Sequence, residues 1–208
     1  MAAFLFGADA DGALRSGYSG PFAAASISAW MRKKRMAESC AMDESARIFN
    51  RSRTMGFCIQ GLKPEPFAEL FSLSNEALAA RGARRVTVDA KPGFPCRISL
   101  TDAEVGDEVI LAHYEHHAVD SPFRSSHAIY VREGERQYDE IDHVPGMLRS
   151  RLISLRAFDG DGMLVDADMV EGRELEPLIE RLFANPHVAY QHAHFARPGC
   201  YAALIERP

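Results

Sequence analysis

The chain has 208 residues, 47% of them hydrophobic and 25% charged, with a formal net charge of -5. That length and balance fit one globular domain with or without an appendage, large enough to bury a core without disulfide or metal staples. The acidic balance offers no electrostatic reason for a nucleic acid or an anionic membrane as partner, and no run approaches the roughly 20 apolar residues that span a bilayer.

The text divides near residue 54. Residues 1–54 carry eight basic residues against five acidic ones, with Arg32-Lys33-Lys34-Arg35 as the densest run. They lack sustained apolar alternation, and beyond a helix over residues 22–36 they offer little for a core. This part reads as a disordered extension or a start placed too far upstream. The apolar stretch of residues 22–31 has its basic flank after it, the reverse of a secretory signal. Residues 55–208 read as a single α+β domain.

From Met55 the elements follow in order. Residues 56–62 form a strand. Pro64-Glu65-Pro66 opens a short helix, and Ser74 caps a second. Leu73 and Leu78 stand at hydrophobic-staple spacing, and Gly82 ends the helix. Residues 85–89 alternate as a strand, Lys91 to Pro95 turn, and residues 96–100 are strand-like. A long strand covers residues 108–117, a loop residues 120–126, and another strand residues 127–132. An acidic connector leads to a hairpin, residues 152–158 and 163–169, around Asp159-Gly160-Asp161-Gly162. That turn lacks the glycine and glutamate positions of an EF-hand.

Leu175, Leu178, Ile179, Leu182 and Phe183 then recur at helical spacing. Pro177 is tolerated only in a first turn, so this helix starts near Arg173. Residues 187–196 and 200–206 form a closing strand pair. Most links between strands are too short for parallel crossovers, so the expected fold is α+β: a mainly antiparallel β-sheet with two or three helices packed on it.

Cys40, Cys58, Cys96 and Cys200 include no C-x-x-C pair, which excludes zinc-ribbon spacing and argues for reduced thiols in a reducing compartment. Seven of the eight histidines lie in three short stretches. On a strand alternate side chains share a face, so His113, Glu115 and His117 form a candidate metal row suited to zinc or iron. His192 and His194 form another same-face pair; should the two strands adjoin, a metal site becomes geometrically accessible. Against this stands the ordinary reading of solvated or paired histidines on a polar strand face.

Cys96 beside Arg97 is a candidate activated thiol, with His116 or His127 as its base; a buried structural cysteine is the commoner case. Arg97, Arg124 and Ser121 are candidates for holding a carboxylate or phosphate. No P-loop, G-x-G-x-x-G or H-E-x-x-H is present.

Several stretches are familiar: Phe57 to Leu62, Asp89 to Arg97, Leu100-Thr101-Asp102-Ala103 through Ser121-Pro122-Phe123-Arg124, Ala128-Ile129-Tyr130-Val131, and Gly199-Cys200-Tyr201. Across residues 55–208 the chain resembles a bacterial family catalogued as domain of unknown function 1203. The resemblance implies a bacterial, cytoplasmic protein and transfers no activity, cofactor or catalytic residue. Three functions follow as expectations. One is binding of a small anionic molecule near Cys96, Arg97, His116, Arg124 and His127. Another is a His-ligated metalloprotein or metal-dependent enzyme. The last is a non-catalytic module forming a homodimer through a sheet edge.

Overall fold

Apolar residues alternating along short strands build two sheets. The computed structural model of the protein describes residues 56–208; the helix expected over residues 22–36 and the basic run lie outside the described residues. The first strands and helices are β1 (Cys58–Gln60), α1 (Ala68–Ser72), α2 (Asn75–Ala80), β2 (Arg84–Thr87), β3 (Pro95–Cys96) and β4 (Thr101–Asp102). The long β5 (Glu108–His117) and β6 (Ser125–Val131) follow, then β7 (Asp139–Ile141) and α3 (Gly146–Arg149). The chain closes with β8 (Leu152–Phe158), β9 (Leu164–Glu171), α4 (Leu175–Phe183), β10 (Tyr190–Phe195) and β11 (Tyr201–Glu206).

One sheet has six strands in the order β7-β1-β11-β10-β8-β9; the other has five, in the order β2-β5-β6-β3-β4. All pairings are antiparallel except that of β3 with β6, where Cys96 lies opposite Tyr130. Sheets dominate and helices are few, consistent with the α+β class. The single expected sheet is in fact two, because β11 pairs back onto β1 while β5 recruits β2 and β6.

Local signals act as their chemistry dictates. Ser74 accepts from the Ala77 amide at 3.3 Å. Gly82, at φ +67°, completes a Schellman end, with Gly82 N donating to Ala79 O and Ala83 N to Leu78 O. The Asp159 turn is a hairpin turn: its Oδ1 accepts from the amides of Asp161 and Met163 at 3.0 and 2.9 Å. The amphipathic α4 buries Leu175, Leu178, Ile179, Leu182 and Phe183 against Ile153, Leu155, Ala193, Phe195 and Ile205 of the six-stranded sheet. A second core joins Ile110, Ala112, Ile129 and Val131 of β5 and β6 to Phe67, Leu78, Cys96 and Ile98. Among the described residues no helix is long and apolar enough to cross a membrane.

Candidate functional site

The site lies where the two sheets face each other. On β5 the inward column runs Ile110, Ala112, Tyr114, with partners Val131, Ile129 and His127 on β6. The column begins apolar and ends in Tyr114 and His127. At this end the register shifts between Glu115 and His117. A bulge inserts one residue and breaks the two-residue period. His116 and His117 therefore both turn inward, half-buried and buried, while His113 and Glu115 stay exposed.

On β10 the period holds. Ala193 and Phe195 face the first core, so His192 and His194 point to the opposite face. They share it with their β8 partners Arg156 and Ser154 and with Tyr201, opposite His194 on β11. His192 and His194 are only 3% and 0% exposed.

The two faces meet at His116. Its ring centroid lies 5.5 Å from that of His192 and 5.2 Å from that of His194. One ring nitrogen from each of His116, His192 and His194 lies within 4.8 Å of the others. His116 Nδ1, His192 Nδ1 and His194 Nε2 are buried and have no hydrogen-bond partner. Their other contacts fix the rings. His194 Nδ1 meets Gly199 O at 3.1 Å, His116 Nε2 meets His127 Nδ1 at 2.8 Å, and Tyr201 stacks on His116 at 4.5 Å.

Burial is the main force on their protonation, because it penalises the charged imidazolium. It pushes His116 down to about 3, helped by the neighbouring His127, His117 and Arg156. His194 is pushed to about 3, with Arg156 next in effect. His192 falls to about 2, with His116, His117, His194 and Arg156 all adding to burial. Burial, then Arg156, Arg97 and His113, lower His127. At neutral pH the cluster is therefore uncharged imidazole, the form that donates a lone pair to a metal.

The other expected residues are distributed differently. Glu115 is held by Arg124 in a two-point ion pair at 2.5 and 3.0 Å on the outer face, so neither Arg124 nor Glu115 reaches the interior. His117 spends both nitrogens, on Phe123 O at 2.8 Å and Tyr190 Oη at 2.7 Å. The row His113, Glu115, His117 thus does not converge as three ligands; the bulge separates its members.

Ser121 clips the loop, donating to Gly162 O at 2.9 Å and accepting from the Phe123 amide. Cys96 is fully buried in the second core and makes no contact with His116 or His127 among the aromatic and hydrogen-bond partners of those rings. The five groups expected to share one cleft therefore separate into a His116–His127 pair, a sealed thiol, an outer Arg124, and Arg97 on a cavity of its own. His192 and His194 carried the decisive signal in their i, i+2 spacing. The same alternation carries His116 inward behind Ile110, Ala112 and Tyr114; what it could not supply was the bulge that turns His117 in after it.

A family model described as "Protein of unknown function (DUF1203)" matches residues 93–207, which include every residue of this cluster. No curated protein and no solved structure matches the chain. With more than half of its length covered, the chain belongs to the DUF1203 family.

Proposed function

We propose that the protein binds a divalent transition metal, zinc in the first instance, through His116, His192 and His194. The observation that carries this reading is the convergence of three imidazoles, two buried and one half-buried, that each retain a buried ring nitrogen without a partner. Leaving a buried polar atom unsatisfied costs about 1–3 kcal/mol, and one ion would relieve all three. Imidazole nitrogens suit zinc, iron and copper more than calcium or magnesium. Nitrogens around one zinc at about 2.0–2.1 Å stand about 3.3 Å apart, so the rings need to close by about 1.5 Å at most.

Three protein ligands leave a fourth position for water or substrate, the pattern of catalytic rather than structural zinc. A water held there would be acidified toward neutrality. The outer contacts match the usual support of a metal-bound histidine, in which the second nitrogen is fixed by a carbonyl or another polar group. Gly199 O does this for His194 and His127 for His116. Arg156 on the same face opposes a bare cation but favours an anionic fourth ligand such as hydroxide.

Equilibrium dialysis of the untagged chain against zinc tests the reading. One equivalent per chain is expected, lost in His116→Ala and His194→Ala and kept in the exposed control His113→Ala. Zinc uptake that is absent in the natural chain, or unchanged in both triad variants, would contradict it.

A further inference from the structure

A second constellation lies apart from the histidines. A cavity of about 740 Å³ is lined by Arg97, Arg151, Arg197, Tyr130, Phe195 and Cys200 among others, a size suited to a small organic molecule. Arg97 is 2% exposed. Its Nε donates to Tyr201 O at 2.9 Å and its Nη1 to Pro95 O. Among the described residues, none accepts from Nη2 and no carboxylate lies within ion-pair reach of this guanidinium.

Its neighbour Arg151 is in a different state. Asp102 neutralises it through two contacts, one of them at 2.9 Å. Both guanidinium carbons lie over the Phe195 ring, at 4.9 Å for Arg97 and 5.2 Å for Arg151. Two cations thus share one ring, the one carboxylate pairs with Arg151, and the surplus charge sits on the more buried Arg97.

Burial lowers Arg97 to about 10, so it remains protonated at neutral pH. An isolated buried ion costs several kcal/mol. The cation–π contact returns about 2 kcal/mol, less than that cost. Arg197, exposed on the rim, adds a further positive charge, and Glu171 contributes one negative charge to the lining. The rest of the lining includes apolar and aromatic residues, among them Tyr130, Phe195, Pro95, Pro198 and Leu152.

We infer that this cavity binds a small molecule with an apolar, preferably aromatic, body and an anionic carboxylate or phosphate group, the anion meeting Arg97 and Arg197. The site keeps Arg97 from the expected anion-binding set and replaces Arg124 and Ser121, which are committed to Glu115 and Gly162. It does not depend on a metal at the histidines.

Titration calorimetry on the full chain with phenylacetate and with phenyl phosphate tests the inference and separates the two anion classes. At least one probe should bind with a dissociation constant below about 1 mM. Arg97→Met should weaken it about tenfold or more, the loss of one charge-assisted hydrogen bond. Arg197→Ala, at an exposed position that leaves the core untouched, should weaken it about threefold. The Cys200 thiol on the cavity wall supplies a second readout: saturating probe should slow its alkylation by iodoacetamide in the natural chain. Binding absent for both probes at about 10 mM, Cys200 alkylation not slowed by saturating probe in the natural chain, or affinity unchanged in Arg197→Ala, would overturn the inference. That criterion holds even if Arg97→Met fails to fold.

Discussion

The ring of Tyr201 lies 4.5 Å from that of His116 at an interplanar angle of 12°, while the Tyr201 backbone carbonyl accepts from Arg97 Nε at 2.9 Å. One residue of β11 thereby braces the histidine cluster with its side chain and the anion cavity with its backbone. Tyr201 is 3% exposed, and burial holds its phenol well above the usual tyrosine range. It stays neutral and acts as a packing plate. The two candidate sites are neighbours through this residue, each with its own ligand chemistry.

Zinc at one hundred times its dissociation constant should stabilise the fold by about 2.7 kcal/mol. For a domain of this size that corresponds to a rise in Tm of about 5–10 °C. Thermal scans with zinc and with a chelator should show this difference in the natural chain, and His194→Ala should abolish it.

His127 holds His116 from outside the triad, so His127→Ala should leave the fold intact and lower zinc affinity about 10- to 100-fold. The exposed His187 serves as control, and His187→Ala should bind zinc as the natural chain does. Competition with a chromophoric chelator measures both.

Cys58 should be an inert thiol. Burial first, then the Asp139 carboxylate whose Oδ1 accepts from its Sγ at 3.0 Å, push its pKa up from 9.0 to about 11. A thiol whose folded value is raised contributes stability that is fully present below its unfolded value of 9.0 and is lost as the pH rises through about 11. At pH 8 mass spectrometry should find Cys200 alkylated well before Cys58. Cys58→Ala should flatten the loss of stability between about pH 9 and 11.

Two glycines are fixed by close backbone approach. A Cβ on Gly61 would stand 2.0 Å from Ile98 O, and one on Gly172 would stand 1.9 Å from Leu148 O. The obstructing atoms are backbone and cannot rotate away. Gly61→Ala and Gly172→Ala should each cost about 3 kcal/mol or more, measurable by urea unfolding.

Asp102 and Arg151 form a largely buried ion pair, their side chains 10% and 18% exposed. Removing one partner of such a pair costs about 3–5 kcal/mol because the other charge is left buried. Asp102→Asn should reach that range, since Arg151 would then face Arg97 with no carboxylate to offset it. Chemical denaturation of the variant checks this.

Much of the fold was legible in local chemistry. Ser74 and Gly82 bounded α2, the five apolar residues of α4 marked its buried face, and short links favoured the antiparallel pairing found everywhere except between β3 and β6. The division into two sheets was not legible, because which strands pair is decided by contacts far apart in sequence, such as Cys58 with Glu206. The site was half legible. Same-face spacing found His192 and His194 but placed His113, Glu115 and His117 together on β5. The bulge after Glu115 overturned that grouping, and a bulge at a polar strand end leaves no apolar residue out of phase to announce it. Arg97 is legible as an anion-binding candidate from its charge alone; the absence of a carboxylate partner among the described residues is set by the fold and is not.

A crystal structure of the zinc-soaked protein, with anomalous data collected at the zinc edge, tests the central claim most directly. The account predicts one peak about 2.0–2.1 Å from a ring nitrogen of each of His116, His192 and His194. A cluster free of anomalous density, with those nitrogens hydrogen-bonded to ordered water, would contradict it.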